Sequence, residues 1–189
     1  MRLPSSRVLG LMIAGALALH ASTKGTARLQ ELLWLCHVAT GLMALGLLAG
    51  AHRVVAAGFL LHVGMGTAGW LLDLVATRET TLSSVLVHVL PLIAGALELR
   101  RKGWPRGVVL PAWLFFTAWV PMSRWVTDPA LNVNLSHAGW EPLAHLTGGV
   151  WLSGAFNATA MLGGFVIANA ALRRLMDRPR SAEAPSTSG

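Results

Sequence analysis

The stretch GFLLHVGMGTAGWLLDLVATRETTLSSVLVHVLPLIAGALELR, residues 58–100, carries one histidine on a single stripe of each of two apolar segments. The first stripe reads Gly58, His62, Gly66, Gly69, Asp73, and the second Ser84, His88, Pro91, Gly95, Glu98. Steps of three and four residues keep each set on one face of an α-helix. Both segments are apolar enough to cross a bilayer, where an ionisable side chain is expensive and faces the bundle interior. The chain therefore reads as a membrane protein with a polar seam inside it.

Composition agrees. Hydrophobic residues make up 54% of the 189 and charged ones 12%, against about 25% charged in a soluble domain. The net charge of +7 could suggest nucleic acid as a partner. The basic residues, however, cluster at the ends of apolar segments, a mark of membrane topology rather than of a phosphate-binding face. No nucleic-acid partner is expected; the expected partner is the lipid bilayer, with a lipid or small molecule as a possible ligand. Cys36 is the one cysteine, which excludes an intramolecular disulfide and any cysteine-based zinc site.

Six spans are expected: about Val8–His20, Leu29–Gly50, Arg53–Thr77, Leu82–Leu99, Gly107–Val126 and Gly148–Leu172. A helix crossing the hydrocarbon needs about 20 residues. The first run is short and follows Arg2 and Arg7, so a cleaved secretory signal is the alternative to an uncleaved first helix. Leu19 at the −3 position before a cut after Ala21 fits a signal poorly. The fold class is thus all-α, a polytopic helical bundle of about six transmembrane helices, or five after cleavage. Residues 1–178 form a single transmembrane domain, and 179–189 a disordered cytoplasmic tail.

An N-terminus placed inside puts Arg2, Arg7, Arg53, Arg100, Arg101, Lys102, Arg106, Arg173, Arg174, Arg178 and Arg180 on the cytoplasmic side. Only Lys24, Arg28, Arg78 and Arg124 are left for the other side. The bias predicts a multi-pass protein of the inner membrane with both termini cytoplasmic. The long loop 127–147 then lies outside, either as a surface closure or as a lid that offers Asp128, His137, Glu141 or His145 to the seam.

Depth singles out one pair. At 1.5 Å per residue, His37 and His88 both fall roughly 10 Å below the outer surface. His62 lies deeper, while Asp73 and Glu31 mark the outer rim. An outward-facing pocket lined by His37, His88, Asp73, Ser84 and Arg124, with Thr40 in the same half, is the working expectation. The glycines, Gly46 and Gly50 among them, read most simply as helix-packing grooves. Glu98 reads as snorkelling to the cytoplasmic edge.

Three classes of function can use such a pocket. Transport or a purely structural seam needs no chemistry, and no catalysis is demonstrable from the residues. A lipid-directed hydrolase would use His88 as base, oriented by Asp73, on the hydroxyl of Ser84 or Thr40. Haem b or a metal would take His37 and His88 as facing ligands. P-loop, Gly-x-Ser-x-Gly and His-Glu-x-x-His motifs are all absent.

The layout of six helices with His88, Pro91 and Glu98 on the fourth, then Trp104-Pro105, resembles the androgen-induced family of small membrane hydrolases. The likeness covers about a quarter of the chain, and its spacings depart from the family's. It implies a Thr–His pair acting on lipid esters, with Thr40 as the threonine.

Overall fold

In the computed structural model, which describes residues 4–137 and 150–176, the protein is all-helical. Seven α-helices appear among the described residues: α1 Ser6–Lys24, α2 Leu35–Ala49, α3 His52–Leu61, α4 Thr67–Thr77, α5 Leu82–Lys102, α6 Val109–Val126 and α7 Val150–Met176. A π-helical turn, His62–Gly66, joins α3 to α4 without a break, so the pair runs as one rod from His52 to Thr77.

Four helices among the described residues are long and apolar enough to cross a membrane: Ser6–Lys24, His52–Thr77, Leu82–Lys102 and Gly154–Met176. By that length and composition the count differs from the six spans expected. The segment expected at Leu29–Gly50 is divided, because Thr26–Leu33 winds as a 3-10 helix and leaves α2 only 15 residues. That length rises about 22 Å, short of a hydrocarbon core of about 30 Å. Helix α6 has the length, but Pro111, Pro121, Arg124 and three tryptophans dilute its apolar character. The tail 179–189 and the loop residues Glu141 and His145 lie outside the described residues.

Short α2 sits at the centre. It packs on α1, α3 and α5; α1 also lies along α5, and α6 with α7 flanks the far side of α3. Ile13, Ala39, Met43, Ala56, Leu60, Leu61, Leu99, Ala112 and Phe165 form the buried core. Outward, Leu45, Leu72, Val75, Leu82, Leu110 and Ile167 are exposed, an apolar surface that suits hydrocarbon rather than water. Small residues set the spacing. A Cβ on Gly95 would meet Phe59 at 2.4 Å, and one on Gly46 would lie 2.9 Å from the Val55 backbone. Gly50 has a different role: at φ 70° it supplies the left-handed cap that ends α2.

Pro91 in α5 removes the N–H that the carbonyl of Val87 would receive. The Thr40 hydroxyl of α2, already donating to Cys36 O at 2.8 Å, lies 3.3 Å from that carbonyl. At the other end of α5, Glu98 is buried rather than reaching to solvent. It takes the Ser6 hydroxyl at 3.0 Å, Lys102 at 2.7 Å and Arg101, which fastens the start of α1 to the end of α5.

Candidate metal centre

Four histidines from four elements meet in the half of the bundle that holds the end of α1 and the start of α2. His37 of α2 lies between His20 of α1, with ring centroids 4.9 Å apart, and His88 of α5, at 5.8 Å. His62, the first residue of the π turn, stands edge-on to His88 at 5.9 Å. Trp70 stacks flat on His88 at 4.8 Å with an interplanar angle of 8°. All four imidazoles are buried.

Backbone carbonyls fix two of the tautomers. His37 Nδ1 lies 2.9 Å from Glu31 O, and His88 Nδ1 lies 2.7 Å from Ser84 O. A carbonyl only accepts, so each Nδ1 carries the proton and donates it. Each Nε2 is left with a lone pair, the state in which histidine ligates metals and the way its second nitrogen is normally held. His37 Nε2 and His62 Nε2 are buried with no hydrogen-bond partner, as are His52 Nδ1 and His137 Nε2 outside the cluster. A buried nitrogen of this kind is satisfied by water, an ion or another ligand.

Cys36 completes the set. Its Sγ and one ring nitrogen each of His37 and His88 all lie within 4.8 Å of one another. Ligands held ~2.0–2.3 Å from an ion sit ~3.3–3.9 Å apart, so side-chain adjustments of about 1 Å close the shell. The sulfur's position depends on the π turn. Gly66 presses on α2 so closely that a Cβ there would lie 2.9 Å from both Cα and Cβ of Cys36.

Asp73 is exposed on α4, one turn beyond the Trp70 that stacks on His88, and its charge acts on His88 across the mouth of the cluster. Ser84 contributes its carbonyl to His88 rather than its hydroxyl. Thr40 is fully buried, with its hydroxyl directed to the carbonyls of Cys36 and Val87. Arg124 donates to the carbonyl of Ser136.

His20 was missed as a site residue because it ends the short apolar run that also suits a signal peptide. The signal was present in Leu9, Ile13, Ala16 and His20, one stripe spaced four, three and four residues apart and buried throughout. His20 Nδ1 is bonded to Ser83 Oγ at 3.1 Å.

Over the cluster lies the 3-10 segment Thr26–Leu33. Its Glu31 binds Lys24 at 2.5 Å and also Arg28. Burial alone would raise the Glu31 carboxyl, but hydrogen bonds from Lys24 and Arg28 outweigh it and hold the group below its ordinary range. Asn134, from the following loop, pins the same segment. Its Oδ1 accepts the Leu35 amide at 2.8 Å and its Nδ2 donates to Leu33 O at 2.9 Å. The described part of the expected lid thus grips the start of α2.

A haem between His37 and His88 would need a slot for its macrocycle. The two rings are instead tilted 57° to one another and flanked by His20, His62 and Trp70. A bare ion fits this packing better. No family model, curated protein or solved structure matches the chain, so the resemblance carried by His88, Pro91 and Glu98 has no matching family behind it and the reading of the site rests on its geometry.

Proposed function

We propose that the chain is a multi-pass inner-membrane protein, both termini cytoplasmic, that binds one transition-metal ion in the outer half of its bundle. Cys36, His37 and His88 are the ligands, and the bilayer is the partner of the apolar surface. One observation carries the reading. A thiol and two imidazoles from two helices converge within 4.8 Å, while both imidazoles give their Nδ1 protons to carbonyls. Mixed sulfur and nitrogen donors select copper, zinc or iron over magnesium or calcium. The positive-inside bias and the distance of the cluster from the Glu98 end support the orientation.

The test is metal analysis of detergent-purified protein alongside its visible spectrum. The expected result is about one equivalent of a single late transition metal and no Soret band, with the metal lost in His37→Ala and in His88→Ala. Full-length protein that takes up no metal, with no ion withheld from the growth medium, overturns the reading. A Soret band that shifts on reduction replaces it with haem.

A further inference from the structure

We infer that the ion reaches its ligands along the seam between the end of α1 and the start of α5, where His20 is the transient ligand that hands it to His37. The inference rests on the metal reading above and names the site's way in. A run of polar side chains marks the seam. Thr23 and Thr81 are exposed at its mouth, and Ser83 behind them is buried. Ser83 Oγ lies 3.3 Å from the Thr23 hydroxyl, 3.1 Å from that of Thr81 and 3.1 Å from His20 Nδ1. The His20 ring is in turn 4.9 Å from that of His37, nearer than His88 is to either His37 or His62. Polar groups set inside a membrane bundle in this way mark ion pathways.

The other described approaches offer no such run. On the α4 side one face of His88 is taken by the Trp70 indole, which has a donor but no lone pair for a metal. Above, the Glu31 carbonyl holds His37 and its carboxylate is committed to Lys24 and Arg28. That same ion pair balances the charge of Lys24 beside the seam. His20 borders the site without belonging to it. The ligand atoms of Cys36, His37 and His88 lie within 4.8 Å of one another, a set that does not include His20. When Nδ1 donates to the Ser83 hydroxyl, Nε2 keeps a lone pair. The ion exchanges a water for His20 Nε2 and then His20 for His37 Nε2. One donor replaces another at each step, and no electron or proton is transferred.

A residue used only on the way in and out alters both rates equally and leaves the equilibrium where it was. His20→Gln keeps a polar group opposite Ser83 and removes the imidazole. Full-length protein in detergent is stripped by chelator, and uptake and chelator-driven release are timed by stopped flow. Zn2+ and, anaerobically, Cu(I) are the probes, and the comparison uses whichever binds at one equivalent. Uptake and release should slow together by about tenfold in His20→Gln, with Kd held within about twofold. Ser83→Ala, which leaves the imidazole without its hydroxyl, should slow both rates in the same sense and decides the question if His20→Gln does not fold. Faster release with weaker affinity would make His20 a resident ligand. Unchanged rates, or uptake slowed in Asp73→Asn alone, would put the entrance elsewhere. Each of these overturns the inference and leaves the metal site standing. A parent protein that binds neither ion overturns the metal reading itself.

Discussion

Replacing Gly66 by alanine tests the link between the π turn and the site. The added Cβ would stand 2.9 Å from Cα and Cβ of Cys36, where ordinary contact begins at 3.4 Å. Two backbone-anchored atoms cannot swing aside, so α2 and the π turn must separate, by about 0.5 Å to restore ordinary contact, the difference of those two distances. Overpacking of this kind costs about 1–3 kcal/mol. The same shift carries Cys36 away from His88 and opens the ligand triangle. Gly69→Ala is the control: its Cβ would meet nothing within 4 Å, and helix propensity favours alanine by up to about 1 kcal/mol. Thermal unfolding in detergent, followed by tryptophan fluorescence, should lower the midpoint of Gly66→Ala by several degrees and leave Gly69→Ala level or higher. Metal uptake should fall in the first variant alone. A Gly66→Ala protein with parental stability and full metal content would refute the reasoning.

Further outcomes follow from neighbouring contacts. Thr40→Val removes the hydroxyl that donates to Cys36 O and lies 3.3 Å from Val87 O and should cost about 1–3 kcal/mol, while Thr40→Ser recovers most of it. Both should still bind metal, and a Thr40→Val protein as stable as the serine variant would show that Pro91 needs no such partner. Asn134→Ala should speed amide exchange across residues 26–40, because two hydrogen bonds to Leu33 and Leu35 are lost; unchanged exchange would mean that the loop does not hold α2. The Glu31 carboxyl is held below its ordinary value of 4.5, so its contribution is present in full above that value and is lost as pH falls through the folded value. Glu31→Gln should accordingly be less stable than the parent at neutral pH, with the gap closing below about pH 4.5. A gap that widens in acid would reverse the assignment.

The convergence of His37 and His88 was legible because each lies a countable number of residues from the outer end of its own helix. The Gly46 groove was legible too, since small residues in apolar helices mark close approach. Two features were not. Leu29, Leu32 and Leu33 carried the expected span back across Gln30 and Glu31, although these polar residues and Arg28 set Thr26–Leu33 apart from α2, and so the 3-10 segment that shortens α2 was missed. Nothing local in His62–Gly66 announces a π turn either. Counting through it at 3.6 residues per turn set Asp73 on the histidine face, where it is exposed one turn beyond Trp70, the residue that stacks on His88. Cysteine counting hid Cys36, because one thiol is too few for a zinc finger yet enough for a mixed site with two imidazoles. For Glu98 the cations one turn on, Arg101 and Lys102, were legible, but its Ser6 contact lies 92 residues away.

The most direct measurement is X-ray absorption at the edge of the metal bound to the purified protein. A shell of one sulfur at about 2.3 Å and imidazole nitrogen at about 2.0–2.1 Å, with the sulfur lost in Cys36→Ser, is the predicted result. A shell of oxygen and nitrogen alone in the parent protein would contradict the site built from Cys36, His37 and His88.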